Sequence, residues 1–413
     1  MRQMKKRTNF NPYNSYYQYR STQKYNKKLK IIGLIMLVIF VVYSVQIFID
    51  YAYEHKTDPQ FVMTEEQSGD FVQSTISYST HKQIPTVKGL YVPAYKANSS
   101  IDSLIEIANT SEINSFIIDI KDDSGYLTFD SDNPLLVEAR SVRTYPAISD
   151  IEDLMDKLYK NNIYPIARIV VFKDKVVGNT FPERMVQNYE GDVYENSQGE
   201  TWLNPYDKTN WEYILEVCKE AINVGFKEIQ FDYIRFHESM TTERVDLPTE
   251  EITKTEVITE FVDYMVEHLD PYGVVISADV FGAIITSSID ANIVGQDYKE
   301  LVKRLDVICP MIYPSHYGTG SFGQQNPDLA PYEIILGALQ SSNEVIRTLP
   351  IEERKAIVRP WLQDFTATWV TPHQQYTEVQ VREQIDAVYD ALLKEWILWN
   401  GAAIYTQEAL KTD

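Results

Sequence analysis

Two aspartates in consecutive apolar runs of this 413-residue chain are the residues best suited to do chemistry. The run FDYIRF carries Asp232, and the run VVISADVF carries Asp279. Side chains alternate along a strand, so Gln230, Asp232 and Ile234 share one face, while Phe231 and Tyr233 share the other and suit packing against helices. By the same parity Val275, Ser277 and Asp279 share a face. If the two runs are adjacent parallel strands, both carboxylates project to one side at similar height. Such a pair is what cleavage of a glycosidic bond requires: one carboxylic acid protonates the leaving oxygen, and one carboxylate attacks the anomeric carbon or activates water. If the two groups are directly adjacent, retention is favoured, because inversion leaves a gap of about 6.5–9.5 Å for water. A buried carboxylate is costly unless partnered, and Arg168 or Arg235 would keep Asp232 ionised. The alternatives are a purely structural ion pair for Asp232 and a loop cap for Asp279.

Other polar and aromatic residues gather near the same strand ends. Asp119 shares a face with Ile117 and Lys121 and reads as a supporting ion pair or substrate contact. Tyr91, Trp202, Tyr313, Tyr317, Trp361 and Trp399 offer flat faces on which sugar rings stack, while Arg359, Gln363 and Asn400 suit sugar hydroxyls. The aim of Asp364 is open. Glu228 and Asp306 begin their strands and belong to the stability end, and His316 reads as an exposed loop residue. The sequence has two cysteines, no CxxC and scattered histidines, so neither a metal site nor a cofactor is expected, and Cys218 and Cys309 read as separate buried thiols.

These side chains need a frame. Short apolar runs at 87–95, 115–121, 163–172, 228–236, 274–281, 305–313, 356–365 and 396–400 read as strands. Amphipathic stretches starting at 101 and covering 148–161, 210–224, 251–269 and 378–394 read as helices between them. Eight strands with interposed helices predict a (β/α)8 TIM barrel rather than an open doubly wound sheet. No glycine-rich phosphate loop follows the first strand, which removes the main support for nucleotide binding. The long loops 173–204, 237–250 and 314–331 all follow strands, at the end where barrel enzymes place their sites.

The chain carries a net charge of −21. Residues 1–30 hold nine Lys or Arg and no acid, so the remainder has 29 basic against 59 acidic residues, a net −30. So acidic a body excludes nucleic acid as a partner. The basic arm runs into nineteen uncharged, mostly apolar residues at 31–49, close to the span of a bilayer core. That run exceeds the roughly 7–15 residues of a signal-peptide core, and no small-x-small cleavage site follows. It is expected to be a signal-anchor helix in the lipid bilayer. The positive-inside rule then puts the arm in the cytoplasm and the rest outside the cell membrane. The expected organisation is a disordered basic arm at 1–30, a transmembrane helix at 31–49, a polar stalk at 50–86 and a barrel domain at 87–413.

With FDYIRF, ISADVFG, ICPMIYPSHY and VRPWLQDF in this order, the chain resembles a bacterial family of glycoside-hydrolase-like proteins. That family was first catalogued as a domain of unknown function and is distantly related to the α-amylase-type barrels. The resemblance runs from about Val87 to Ala409. It implies a barrel with a strand-four aspartate, Asp232, in the nucleophile position. Two departures from the α-amylase pattern stand out. Arg235 comes three residues after the aspartate instead of two before it, and no Glu follows strand five, where Asp279 stands. The acid/base assignment is therefore open between Asp279 and a loop residue such as Glu238. The reading is hydrolysis of O-glycosidic bonds in a cell-surface or environmental polysaccharide, with Asp232 as nucleophile or ion stabiliser and Asp279 as proton donor. The substrate contacts expected are Tyr91, Asp119, Arg168, Arg235, Tyr313, Trp361, Gln363 and Asn400. A non-catalytic glycan-binding module on the same scaffold is the alternative.

Overall fold

The computed structural model describes Lys82 and residues 84–411. The arm, the apolar run at 31–49 and nearly all of the stalk lie outside the described residues. Among those described, no helix is long and apolar enough to cross a membrane.

Nine strand segments follow one another: β1 Lys88–Val92, β2 Ser115–Lys121, β3 Tyr164–Val170, β4 Glu228–Asp232, β5 Val275–Phe281, β6 Val307–Met311, β7 Ile357–Val358, β8 Trp361–Gln363 and β9 Trp396–Trp399. From β1 to β6 each pairs in parallel with the next, and β9 pairs in parallel with β1, so the sheet closes. Segments β7 and β8 share one position of the barrel. Pro360, which has no N–H to give a ladder, interrupts them, and β8 carries the pairing on to β9. The result is a closed parallel barrel of eight strand positions wrapped in helices, consistent with a (β/α)8 barrel.

Two cores follow from strand alternation. In β2, Phe116, Ile118 and Ile120 point out and join the large core between barrel and helices. Ile117 points in and packs with Ile166, Val275, Val307 and Ile397 inside the barrel. Gly89 of β1 also sits against this interior: a Cβ there would lie 2.5 Å from Ile117 Cδ1, so only glycine leaves that side chain its room. The surrounding helices are α1 Ala94–Ser99, α2 Ile101–Asn109, α3 Pro134–Glu138, α4 Ile151–Lys160, α5 Lys208–Asn223, α6 Lys254–Leu269, α7 Ser288–Val294, α8 Tyr298–Val302, α9 Pro331–Arg347 and α10 Glu378–Asp390. Their starts are set locally. Asp207 caps α5 by accepting from Thr209 N, and Thr253 with Glu256 closes a capping box on α6.

Helices α3, α7 and α8 are too short to impose a period on the sequence. The seventeen-residue α9 was also not expected. It begins after Ala330, which offers no capping side chain, and contains Gly337 and paired serines that weaken helix propensity. Tertiary packing overrides this. Ile334, Ile335, Ala338 and Leu339 are buried, and a Cβ on Gly337 would lie 2.6 Å from the Phe322 ring.

Candidate active site

Strand β4 ends at Asp232, four residues before the expected end at 236, and this one difference shapes the site. Tyr233 adopts φ +54°, a left-handed conformation that a bulky residue rarely takes. The turn breaks the alternation. Phe231 still points outward, 5.7 Å from the Phe261 ring of α6, whereas Tyr233 is only partly buried at the edge of that core. Tyr233 instead lines the cavity at the barrel mouth and packs 5.6 Å from Trp202. The register between β4 and β5 matches Phe231 with Ala278, so Asp232 and Asp279 are the next pair along. Neighbouring strands lie about 4.8 Å apart. The two expected carboxylates are therefore side by side at the carboxyl end of the barrel.

Their surroundings differ. Asp232 Oδ2 accepts from both Nε and Nη2 of Arg168, at 3.0 and 2.6 Å, and Oδ1 accepts from the Tyr233 amide at 2.6 Å. Arg168 also gives Nη1 to Asp119 at 2.6 Å and lies 3.4 Å from Asp123. Burial works against its charge, yet Asp232, Asp119 and Asp123 hold the guanidinium well above its usual value. Among the described residues Asp279 makes no ion pair. It is 1% exposed, and Oδ1 accepts a 2.6 Å hydrogen bond from Trp361 Nε1. Burial first, and the charge of Asp232 second, push its carboxyl well above the usual carboxylate range. One carboxylate is thus paired with a guanidinium, and the other is buried and pushed toward its protonated form. That is the acid–base division that glycoside cleavage uses.

A cavity of about 210 Å³ opens over both groups, with Tyr313, Trp361 and Trp399 among its walls and Asp123, Arg235 and His316 among its lining residues. Burial pushes the Tyr313 hydroxyl well above its usual value. A roomier hollow of about 460 Å³ lies at the surface around Thr241, Thr253 and Lys254. Its lining holds a single carboxylate, Glu238, so it cannot supply an acid and a base. Among the described residues no cluster of His, Cys, Asp or Glu is arranged to hold a metal ion.

The remaining expected site residues divide. Arg168, Arg235, Tyr313 and Trp361 line the cavity with the two aspartates. Arg235, expected as an alternative partner for Asp232, makes its hydrogen bond to the Phe236 carbonyl instead, because the turn at Tyr233 carries it past the carboxylate. Tyr91 and Asp119 stand one layer behind the cavity. Tyr91 donates to Asp119 Oδ2 at 2.6 Å and stacks on Trp399 at 4.1 Å, so both support Arg168 and the cavity wall. Asp119 does not share its face with Lys121. A register shift between them turns Lys121 outward, where its ammonium pairs with Asp174 at 2.8 Å beside the Tyr213 ring.

Gln363 and Asn400 are turned into the protein. The Gln363 amide accepts from Ser315 and donates to the Phe365 carbonyl, while Asn400 donates to the Asp364 carbonyl and accepts from Ala402 N. Arg359 is fully buried among Glu228 and Glu395, both at 2.7 Å and both at the amino end of their strands, and does not line the cavity. Asp364 caps Thr406 through its amide and hydroxyl. Cys218 and Cys309 are free and buried, as expected.

The family model described as "putative glycosyl hydrolase domain" matches residues 89–405, which is the barrel with all of these residues. The chain belongs to this family. Family and fold together make the barrel a hydrolase domain of glycosidic type. A protein of solved structure from Ruminiclostridium thermocellum, described as hypothetical, is 36% identical over 46% of this chain and 97% of its own, with a TM-score of 0.42. The glycoside hydrolase domain of PgaB (BpsB) from Bordetella bronchiseptica is 12% identical over 80% of this chain and 100% of its own, with a TM-score of 0.55, a likeness of fold. An exo-β-N-acetylglucosaminidase from Vibrio harveyi is 13% identical over 79% of this chain and 54% of its own, at 0.48. No curated protein matches the chain.

The barrel mouth also holds residues without an assigned role in the sequence. Asp123 and Lys173 meet at 3.3 Å at the cavity mouth, and Phe281 and Met311 complete its wall. The signal for Asp123 was present: it follows β2 in KDDSG, at the same strand end as Asp232 and Asp279.

Proposed function

We propose that the domain hydrolyses O-glycosidic bonds of a polysaccharide at or near the cell surface, with Asp232 as nucleophile and Asp279 as general acid and base. In the first step Asp279 gives its proton to the leaving oxygen as the C–O bond breaks, and Asp232 attacks the anomeric carbon to form a glycosyl ester. In the second, Asp279 takes a proton from water, which displaces Asp232 and releases the sugar. The observation that carries this reading is the contrast between the two adjacent carboxylates, one bound twice by Arg168 and the other buried with a single indole donor. Tyr313, Trp361 and Trp399 supply apolar faces for a sugar ring. The cavity is smaller than the roughly 300–1,000 Å³ of sites that enclose larger ligands, which suits one ring more than a length of chain.

The placement belongs to the same proposal. The basic arm and the apolar run at 31–49 form a signal anchor in the bilayer, and the stalk at 50–86 carries the barrel outside the membrane. The support is the lack of charge along that run and the nine basic residues before it.

The test is release of reducing ends by the full-length chain and by its Asp232→Asn variant on a panel of wall and storage polysaccharides. Release by the parent and none by the variant is expected. A variant that cuts as well as the parent would overturn the assignment, and glycan binding without cutting by either would favour a binding module.

A further inference from the structure

Arg235 is a buried cation whose only ion pair among the described residues is a long one to an exposed carboxylate. The residue is 8% exposed and is among those lining the cavity that holds Asp232 and Asp279. Among the described residues its Nη1 makes one hydrogen bond, to the Phe236 carbonyl at 3.1 Å, and its buried Nε has no partner. The nearest carboxylate, Glu238, is 3.8 Å away, beyond hydrogen-bond reach, with a side chain 63% exposed. Burial pushes the guanidinium below its usual value, whereas Arg168, one strand away, is held above it by three carboxylates. Burying a charge without a counter-ion is costly, and a fold tolerates it where a ligand completes the pair.

The other cations near the cavity are already engaged. Arg168 serves Asp119, Asp123 and Asp232, and Lys173 pairs with Asp123 and Glu200. Arg235 is also held in place. The Phe281 ring lies 4.2 Å from its guanidinium carbon, with the Tyr233 and Trp202 rings at 5.0 and 5.3 Å. Aromatic faces favour the cation and restrict its plane.

We infer that Arg235 recognises a carboxylate on the sugar ring bound in this cavity, so that the substrate is an acidic glycan. The inference rests on the cavity being the sugar site of the proposed hydrolase. A planar carboxylate matches the guanidinium edge with two parallel hydrogen bonds. It carries one charge, which one guanidinium balances. A dianionic phosphate monoester would need a second uncommitted cation, and the described lining residues supply none.

Binding by the full-length chain tests this without requiring turnover. The probes are glucuronate, its methyl ester, glucose and glucose 6-sulfate, each titrated by calorimetry into the parent and into Arg235→Gln. In the parent, glucuronate is expected to bind roughly tenfold or more tighter than its ester or glucose, the effect of a charge-assisted pair. Arg235→Gln is expected to bind the acid and its ester alike. Equal binding of the acid and ester by the parent overturns the inference, and this comparison needs no variant, so it decides the matter even if Arg235→Gln does not fold. Preference for the sulfate over the carboxylate, or an acid preference retained in Arg235→Gln, also overturns it. Failure of the hydrolase reading looks different. Acid preference with no cleavage of any polymer removes the reaction but leaves the recognition, whereas cleavage of neutral polymers without acid preference removes the recognition alone.

Discussion

Arg168 directs two of its nitrogens, Nε at 3.0 Å and Nη2 at 2.6 Å, onto a single oxygen of Asp232, and its third, Nη1, onto Asp119 at 2.6 Å. The guanidinium is therefore a bridge between β2, β3 and β4, fixing the proposed nucleophile and closing the charge of the barrel mouth at once. Its removal leaves two buried carboxylates unpaired. Arg168→Met is expected to cost on the order of 3–5 kcal/mol in stability, read as a lower urea midpoint. It is also expected to abolish cleavage in whatever fraction still folds. A variant as stable as the parent would show that the bridge is not structural.

Asp232→Asn keeps the shape of the side chain and removes the charge. We expect cleavage to fall on the order of a thousandfold or more while glycan binding stays within a few fold. Equal loss of binding would mean that the carboxylate acts in recognition.

Asp279→Asn separates an acid from a bystander. Without a proton donor, natural glycosides need more help at the leaving oxygen than activated aryl glycosides do. The variant is expected to slow the former far more than the latter. Equal slowing of both, or the selective effect appearing in Glu238→Gln instead, would move the acid role to the loop.

The pH dependence follows from the raised carboxyl of Asp279. Activity needs its protonated form, so kcat/KM falls as pH rises through the folded-state value. The Trp361 hydrogen bond favours the ionised form, and Trp361→Phe is expected to move that alkaline limb to higher pH. Stability has the matching sign. The folded state keeps a proton that the unfolded chain releases above about 4, so Asp279 lowers stability progressively as pH rises past that point. Asp279→Asn removes the loss, and its advantage in urea midpoint is expected to grow with pH. An advantage that shrinks with pH would contradict the raised value.

At the opposite end of the barrel, Arg359 bridges Glu228 and Glu395 without touching the cavity. Arg359→Met is expected to destabilise by about 3–5 kcal/mol while leaving kcat of the folded fraction unchanged. Circular dichroism melts and single-concentration assays would check the two halves separately.

How much of this was legible in the sequence depends on how local each determinant is. Alternation and strand order fixed Asp232 and Asp279 as an inward pair, because a period of two and a parallel sheet leave little freedom. Arg168 was legible by the same parity. The strands at 115–121 and 274–281 were found to within a residue, since fully buried runs have sharp ends. The apolar run at 31–49 and its basic flank rest on sequence alone.

Tertiary structure decided what parity could not reach. The left-handed turn at Tyr233 sent a side chain expected among the outer helices into the cavity and carried Arg235 past Asp232. The shift between Asp119 and Lys121 gave the lysine to Asp174 on another loop. Gln363 and Asn400 were absorbed by loop carbonyls and amides, because buried polar groups take whatever partners the folded loops bring nearest. Helix α9 formed around Phe322 despite a weak start. The sequence by itself determined the barrel and its pair of carboxylates, which periodic local rules encode. Which cation each carboxylate meets, and which arginine is left with only a long contact to one, depended on turns and contacts between residues far apart in the chain, where no local period applies.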